Sequence, residues 1–250
     1  MTGGQASLSI FTQLYSLLTG SGTAAFFARI FGGGMAHDYA VAIWETVYIT
    51  VSGTAIAYLF GIPLGVILYG TSKGSLFPNR PVNSVLGFAV NIFRSVPFII
   101  LLVLTQPVAK AVVGTKLGNA AFIVYLSIAA IPFVSRMVES SLREVDAGVI
   151  EAAQSMGTGN FGLIAKVLIP EAKPSLLTGA AIAFTTILGY TPMTYLVAGG
   201  GLGNLAIRYG IYRFDATIMY VSSFLLIIVV QVFQESFNLA AVKTDRRRRK

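Results

Sequence analysis

Five long apolar segments constrain what this chain can fold into more than any other feature of its sequence. They cover about residues 42–69, 84–105, 120–138, 175–197 and 217–241, and each is rich in Leu, Ile, Val, Phe and Ala. A helix needs about 20 apolar residues to cross about 30 Å of hydrocarbon. Inside lipid the backbone must satisfy its own hydrogen bonds, which a helix does. We therefore predict an all-α membrane protein with five transmembrane helices.

The overall composition excludes an ordinary soluble domain. Hydrophobic residues make up 55% of the chain and charged residues only 11%, whereas soluble domains carry roughly 25% charged residues. The chain has no Cys, and its single His is His37. A thiolate metal site or a disulfide framework is therefore excluded. We predict no metal site and no catalytic residue in this chain.

Lys and Arg are distributed unevenly between the two ends of the predicted helices, with twelve at one end and five at the other. Cytoplasmic loops carry the excess of these residues. We therefore predict that the N-terminus lies outside and the C-terminus in the cytoplasm. The predicted cytoplasmic set is Lys73, Arg80, Arg136, Arg143, Lys166, Lys173, Lys243 and Arg246 to Lys250, and the outer set is Arg29, Lys110, Lys116, Arg208 and Arg213.

The sequence divides into three parts. Residues 1–40 form an N-terminal segment in which residues 8–31 are either an interfacial helix or a sixth span. The break at Gly20-Ser21-Gly22 and the charge of Arg29 favour the interfacial helix. Residues 41–242 form the transmembrane domain. Residues 243–250 form a basic tail, which suits topology and anionic lipid rather than nucleic acid, because no folded basic face accompanies it.

A polar loop at about residues 143–170 interrupts the apolar chain. Val149, Ile150, Ala153 and Met156 recur at helical spacing, and glycines follow from Gly157 onward. This pattern predicts a short helix, a turn and a second helix on the cytoplasmic side. A short helix with exposed apolar residues suits insertion into a groove of another protein. The alternative is a connector that packs only against its own chain.

The spacing within this loop resembles a known motif. Glu-Ala-Ala is followed by a Gly six residues after the Glu and by a Pro nineteen residues after it, with Val167 and Ile169 before the Pro. This is similar to the Glu-Ala-Ala loop of permease subunits of bacterial ABC importers. The resemblance implies that the loop couples to an ATPase through Glu151, Ala152, Ala153, Met156, Gly157 and Pro170.

Individual roles follow from that resemblance. Ala153 and Met156 are expected to seat in an ATPase groove, and Gly157 is expected to turn the backbone where a Cβ atom would clash. Glu151 either caps or pairs locally, for instance with Arg143 or Lys166, or it is a solvated charge. The sequence contains no G-x-x-x-x-G-K-[ST] motif, so ATP and Mg are assigned to a separate ATPase subunit.

The second apolar segment contains a stretch that resembles the Phe-Arg-Ser/Gly-x-Pro segment of amino-acid importer permeases. A charge within a span is costly and typically faces the bundle interior or water. Arg94 is therefore predicted to line the translocation path or brace a gate, with Pro97 bending the helix. The alternative is a helix that starts later, from which Arg94 reaches the headgroups. The predicted path residues here are Asn91, Arg94, Ser95 and Pro97.

The fourth segment continues the resemblance. Together with the second segment, Tyr190 to Tyr195 and the glycines at 199–203 are similar to permeases of methionine importers. This implies a homodimer of five-span subunits in the bacterial cytoplasmic membrane, with two ATPase subunits and an extracytoplasmic substrate-binding lipoprotein. Tyr190 and Met193 are predicted to lie near the path, with ordinary helix packing as the alternative. Pro192 and Tyr195 look bulkier than that subfamily leads us to expect, which leaves another small amino acid, a peptide or an osmolyte open.

Two other functional classes fit the sequence less well. A secondary transporter is expected to have inverted repeats and intramembrane carboxylates or broken helices. Here the spans hold almost no carboxylates, and Glu45 and Glu235 are predicted to lie near helix ends. A membrane-embedded enzyme needs a constellation of His, Asp or Ser within the spans, and the sequence offers none.

Overall fold

A computed structural model describes residue 32 and residues 34–244. The described part of the chain is helical throughout and contains no strand, which confirms the predicted fold class. The predicted segment at residues 8–31 and the basic tail beyond residue 244 lie outside the described residues. The helices are α1 Met35–Gly70, α2 Arg80–Ser95, α3 Phe98–Leu104, α4 Gln106–Val113, α5 Gly118–Arg143, α6 Ala147–Ser155, α7 Asn160–Leu163, α8 Ile169–Glu171, α9 Lys173–Tyr190, α10 Leu202–Ile207 and α11 Ala216–Thr244.

Three short helical segments of other types complete the chain. A π-helix, Ile164–Leu168, joins α7 to α8, and a 3-10 helix, Thr191–Val197, extends α9. A second π-helix, Arg208–Tyr212, follows α10. Within residues 34–244, four helical stretches are long and apolar enough to cross a membrane: α1, α5, α9 with its 3-10 extension, and α11. The bent pair α2 and α3 makes a fifth span if it is counted as one.

The second predicted span is the main difference from the sequence prediction. The segment at 84–105 is not one helix, because α2 and α3 meet at an angle of 108°. Pro97 has no N–H group to donate, and it pushes the preceding residue out of the helical region. Val96 is accordingly extended, with ψ of 125°. Pro97 was predicted to bend this span, and the structure shows a complete break.

The first span also begins earlier than predicted, at Met35 rather than near residue 42. With 36 residues, α1 is about 54 Å long, so it extends beyond the hydrocarbon region. The last helix likewise includes Lys243 and Thr244, which the sequence analysis had assigned to the tail.

Helix α5 forms the centre of the fold. It packs along α1 and contacts α2, α4 and α9, and its Phe122, Tyr125 and Leu126 are fully buried. By contrast, α11 packs mainly on α9 and α10 and leaves a row of large apolar side chains exposed. In a membrane protein such surfaces face lipid or another subunit.

Small residues bring α1 and α5 into close contact. Gly53, Ala57, Gly61 and Gly65 recur every four residues on α1 and are buried. A Cβ atom at Gly61 would lie 2.6 Å from Val134, and one at Gly65 would lie 2.6 Å from both the Ser135 carbonyl oxygen and Val138. Gly61 and Gly65, a small-xxx-small pair, therefore pack α1 against another helix of the same chain.

We expect Gly61→Ala to lower the free energy of unfolding by about 1–3 kcal/mol, because the added methyl group overpacks the contact with Val134. The matched control is Gly189→Ala, since Gly189 lies in α9 and a Cβ atom there meets nothing within 4 Å. The control is expected to be neutral or stabilising. Unfolding by SDS in mixed micelles measures both variants, and equal midpoints for the two would contradict the packing argument.

Candidate functional site

The loop between α5 and α9 has the predicted helix–turn–helix form. Helix α6 starts at an N-cap, where the Asp146 carboxylate accepts a hydrogen bond of 2.8 Å from the Gly148 backbone N–H. After α6 ends, Gly157 adopts φ of +81°, and its N–H donates to the Gln154 carbonyl oxygen at 2.9 Å. A Cβ atom at Gly157 would meet nothing within 4 Å. The expected clash is therefore wrong within this chain, and the positive φ is what favours glycine.

The coupling residues predicted from sequence do not all face the same way. Met156 is 79% exposed and Ala153 only 4% exposed. Glu151, Ala152 and Gly157 are also exposed. The methyl group of Ala153 thus packs inside the chain and cannot enter a groove on another protein in this conformation.

An exposed aromatic side chain, which the sequence analysis did not single out, lies just beyond the turn. Phe161 is 84% exposed at the start of α7, whereas Leu163 and Leu168 further along are fully buried. A Phe among glycines and polar residues in a turn was the available clue. Met156 and Phe161 give the turn two large exposed apolar side chains.

Pro170 lies apart from the turn. It is the second residue of α8, directly after the π-helix, so its missing N–H removes one hydrogen bond from this helical segment. Ten helical residues, 160–169, lie between the turn and Pro170 and span about 15 Å along the axis. Gly157 and Pro170 of the motif therefore lie at opposite ends of one helical segment rather than in a single cluster.

Glu151 does not form the expected ion pairs. Arg143 instead donates to the Glu139 carboxylate at 2.8 Å, and among residues 34–244 no ion pair involves Glu151. Glu151 is exposed and lines a cavity of about 410 Å³ together with Tyr69, Lys73, Arg143 and Gln154. Lys73 and Arg143, both assigned to the cytoplasmic side by charge counting, thus lie at the same end of the molecule.

The predicted path residues of the second segment gather at the break between α2 and α3. Arg94 is in the last turn of α2, where a positive charge complements the helix dipole. The Ser95 hydroxyl donates to the Asn91 carbonyl oxygen at 2.8 Å, and the Asn91 side-chain oxygen accepts from Arg136 at 3.1 Å. Arg94 itself is exposed. Arg94 precedes the break, and a new helix starts after it at Phe98, so its place on the path and its alternative position at the headgroups both stay predictions.

Tyr190 and Met193 lie on the fourth span and are half-buried. The Tyr190 ring stacks on Phe98, with centroids 4.5 Å apart and an interplanar angle of 14°. Met193 packs against the main apolar core. Both side chains therefore make helix-packing contacts, and the Tyr190–Phe98 stack joins the fourth span to the residue directly after Pro97.

A polar cluster at the opposite end of the fold was missed by the sequence analysis. The Glu45 carboxylate accepts hydrogen bonds from the Gly201 N–H at 2.8 Å and from the Asn119 amide at 3.0 Å. The Asn119 side-chain oxygen accepts from the Gly200 N–H at 2.7 Å. A Cβ atom at Gly200 would collide with the Glu45 carboxylate. Glu45 was expected only to lie near a helix end, and it ties α1, α5 and the glycine segment together.

We expect Glu45→Ala to lower the free energy of unfolding by about 1–3 kcal/mol, because it leaves the Gly201 N–H and the Asn119 amide without their acceptor. Asp38→Ala is the matched control, since Asp38 is an exposed carboxylate in the first turn of the same helix. SDS unfolding compares the two variants. A Glu45→Ala midpoint equal to that of the control would show that the cluster adds no stability.

Known proteins that resemble this chain are membrane components of transport systems, which agrees with its apolar spans and exposed loop. Residues 61–250 match the family described as the binding-protein-dependent transport system inner membrane component. The chain is 48% identical over 206 residues to the "Probable D-methionine transport system permease protein" of Vibrio cholerae, covering 82% of this chain and 92% of that protein. It is 43% identical to the methionine import system permease protein of Bacillus subtilis, covering 82% and 93%.

A solved structure has the same fold. The matching chain in inward-facing conformations of the MetNI methionine ABC transporter superposes with a TM-score of 0.81 and 39% sequence identity, covering 83% of this chain and 96% of that one. The family match spans three quarters of the chain and includes both the loop and the bent helix. This chain therefore belongs to the family of inner membrane components of binding-protein-dependent transport systems.

Proposed function

We propose that this chain is the membrane-spanning permease subunit of an ATP-driven importer for methionine, in the D or L form, in the bacterial cytoplasmic membrane. The observation that carries the proposal is the continuous similarity to methionine permeases, with identities of 43–48% over more than 90% of the relatives' lengths. The exposed turn between α6 and α7 supplies a surface for a partner, and the broken second span supplies polar groups within the membrane.

The loop is proposed to dock on the ATPase through its exposed turn. Met156 and Phe161 project from this turn, and an exposed apolar pair is costly in water unless a partner covers it. Glu151 and Ala152 flank the pair on α6 and complete the docking surface. In this proposal ATP and Mg bind to the two ATPase subunits, and ATP-driven closure of those subunits moves the loop.

The second copy of the chain is proposed to face α2 and α3. Arg94 is exposed and forms no hydrogen bond or ion pair with another described residue, so placing it in lipid would cost several kcal/mol. A water-filled path between two copies avoids that cost. Large apolar side chains on the same two helices are also exposed and give the second copy a surface to pack on: Val85, Phe88, Ile99, Ile100, Val103 and Leu104.

Transport is proposed to follow alternating access. A substrate-binding lipoprotein delivers methionine at the end of the fold that holds Glu45 and the glycine segment, opposite the docking loop. The path opens outward when ATP closes the ATPase pair and inward after hydrolysis. This chain performs no covalent chemistry in that cycle, because its contribution is mechanical and steric.

Uptake by the reconstituted complex tests the proposed function. The chain is co-expressed with an ABC ATPase and a substrate-binding lipoprotein and placed in proteoliposomes with ATP inside. We expect uptake of labelled methionine that requires both ATP and the lipoprotein. Uptake driven by an ion gradient without ATP would indicate a secondary transporter instead. ATP-driven uptake of another amino acid, a peptide or an osmolyte, with none of methionine, would change the assigned substrate.

We expect Gly157→Arg to abolish ATP-driven uptake while the chain still inserts in the membrane. The turn would hold the new residue, which has a Cβ atom, in a left-handed backbone conformation at a cost of about 1–2 kcal/mol. The arginine side chain would also place a bulky charge on the docking turn. Loss of ATPase co-purification together with loss of uptake is the measured result.

Gly114→Arg is the matched control for Gly157→Arg. Gly114 has φ of +76° and no atom within 4 Å of its Cβ position, and it lies between α4 and α5. Its substitution imposes the same backbone cost and adds the same charge away from the docking loop. Normal ATPase binding by Gly157→Arg, or equal loss in both variants, would contradict the docking role of the turn.

A further inference from the structure

Three charged side chains, those of Arg136, Glu139 and Arg143, lie about one helical turn apart at the end of α5. Glu139 is only 7% exposed, and each of its oxygens is engaged by a different arginine. Oε2 accepts from Arg136 at 2.7 Å, and Oε1 accepts from Arg143 at 2.8 Å. A buried carboxylate with two charge-assisted hydrogen bonds holds both partners in defined orientations.

Arg136 carries this network across to α2. Its Nη2 donates to the Gly87 carbonyl oxygen at 3.0 Å and to the Asn91 side-chain oxygen at 3.1 Å. A Cβ atom at Gly87 would lie 3.2 Å from Nη2, so the guanidinium lies directly against the helix backbone. One guanidinium thus joins Glu139 on α5 to two residues of α2.

Polar contacts hold α2 in place. Among its own residues only Val90 is buried. A second polar contact lies nearer its start, where the Asn83 amide donates to the Leu68 carbonyl oxygen at 2.8 Å and to the Thr71 hydroxyl at 3.1 Å. Because apolar burial is small, the direction of α2 depends strongly on these few hydrogen bonds, including those from Arg136.

Arg143 connects the same network to the docking loop. It is the last residue of α5, and α6 begins four residues later at Ala147. Its side chain lines the 410 Å³ cavity whose other walls include Glu151 and Gln154 of α6. Arg143, Glu139 and Arg136 therefore link the end of α5 next to the loop with α2, the helix that carries Arg94 in its last turn.

We propose that Glu139 is a positioning residue that transmits movement of the docking loop to α2 and thereby to the path. The inference rests on the proposed function, because it requires the loop to be the ATPase contact. Removing the negative charge weakens the hold on Arg136 and frees its guanidinium from Gly87 and Asn91. The loop can then still move with the ATPase, but α2 no longer moves with α5.

The test is Glu139→Gln in the reconstituted complex, with ATP hydrolysis and methionine uptake measured on the same vesicles. We expect hydrolysis within about twofold of the unsubstituted protein and uptake reduced by at least about tenfold, so that far more ATP is consumed per molecule imported. A purely structural ion pair would lower both rates together or leave both unchanged, and either result overturns the proposal.

Two further variants sharpen the test. Glu144→Gln removes one negative charge next to the same helix end. Glu144 is exposed and, among the residues that the structure describes, accepts only from Ser175, so its ratio of uptake to hydrolysis is expected to be unchanged. Arg136→Lys keeps a positive charge beside Glu139 but lacks the forked guanidinium that also reaches Gly87 and Asn91, and it is expected to lower that ratio if Glu139→Gln fails to fold. A normal ratio in Arg136→Lys would contradict the relay.

The outcomes also separate this inference from the proposed function. If the unsubstituted complex shows no ATP-driven uptake, the proposed function fails before Glu139 is tested. If that complex imports methionine and both Glu139→Gln and Arg136→Lys import it at the normal ratio, only the relay fails.

Discussion

The close packing of α1 against α5 is the contact on which the rest of the structure depends. In lipid no hydrophobic force drives two helices together, so their association relies on van der Waals contact and polar bonds. Gly61 and Gly65 remove the side chains that would separate the helices. Because both helices are long, this one interface fixes the relative positions of groups at both ends of the fold.

Each end of that helix pair carries a carboxylate that holds a functional segment in place. At one end, Glu45 binds the glycine segment and Asn119. At the other end, Glu139 binds Arg136 and Arg143, and Arg136 in turn binds α2. A charge without partners is costly to bury. Two arginines supply the hydrogen bonds of Glu139, and the Gly201 N–H and the Asn119 amide supply those of Glu45.

The broken second span and the exposed loop are the parts of the molecule that a rigid bundle would not need. Pro97 prevents α2 and α3 from continuing as one helix. Because α2 buries only Val90, it is attached chiefly by the hydrogen bonds from Asn83 and Arg136. The loop carries Met156 and Phe161 on its outside and fully buried leucines on its inside. A segment anchored on one face and apolar on the other suits a subunit that is moved by a partner.

The sequence by itself determined the helical class, the apolar spans and the helix–turn–helix loop with its glycine turn, because hydrophobic periodicity and glycine placement act over a few residues. Tertiary structure decided that the second span breaks by 108°, that Ala153 faces inward while Phe161 faces outward, and that Glu45 meets partners 74 and 156 residues away. Such pairings depend on how helices distant in sequence pack, since one helix pattern is compatible with many neighbours. Local chemistry specified the elements, and close packing specified which polar groups meet.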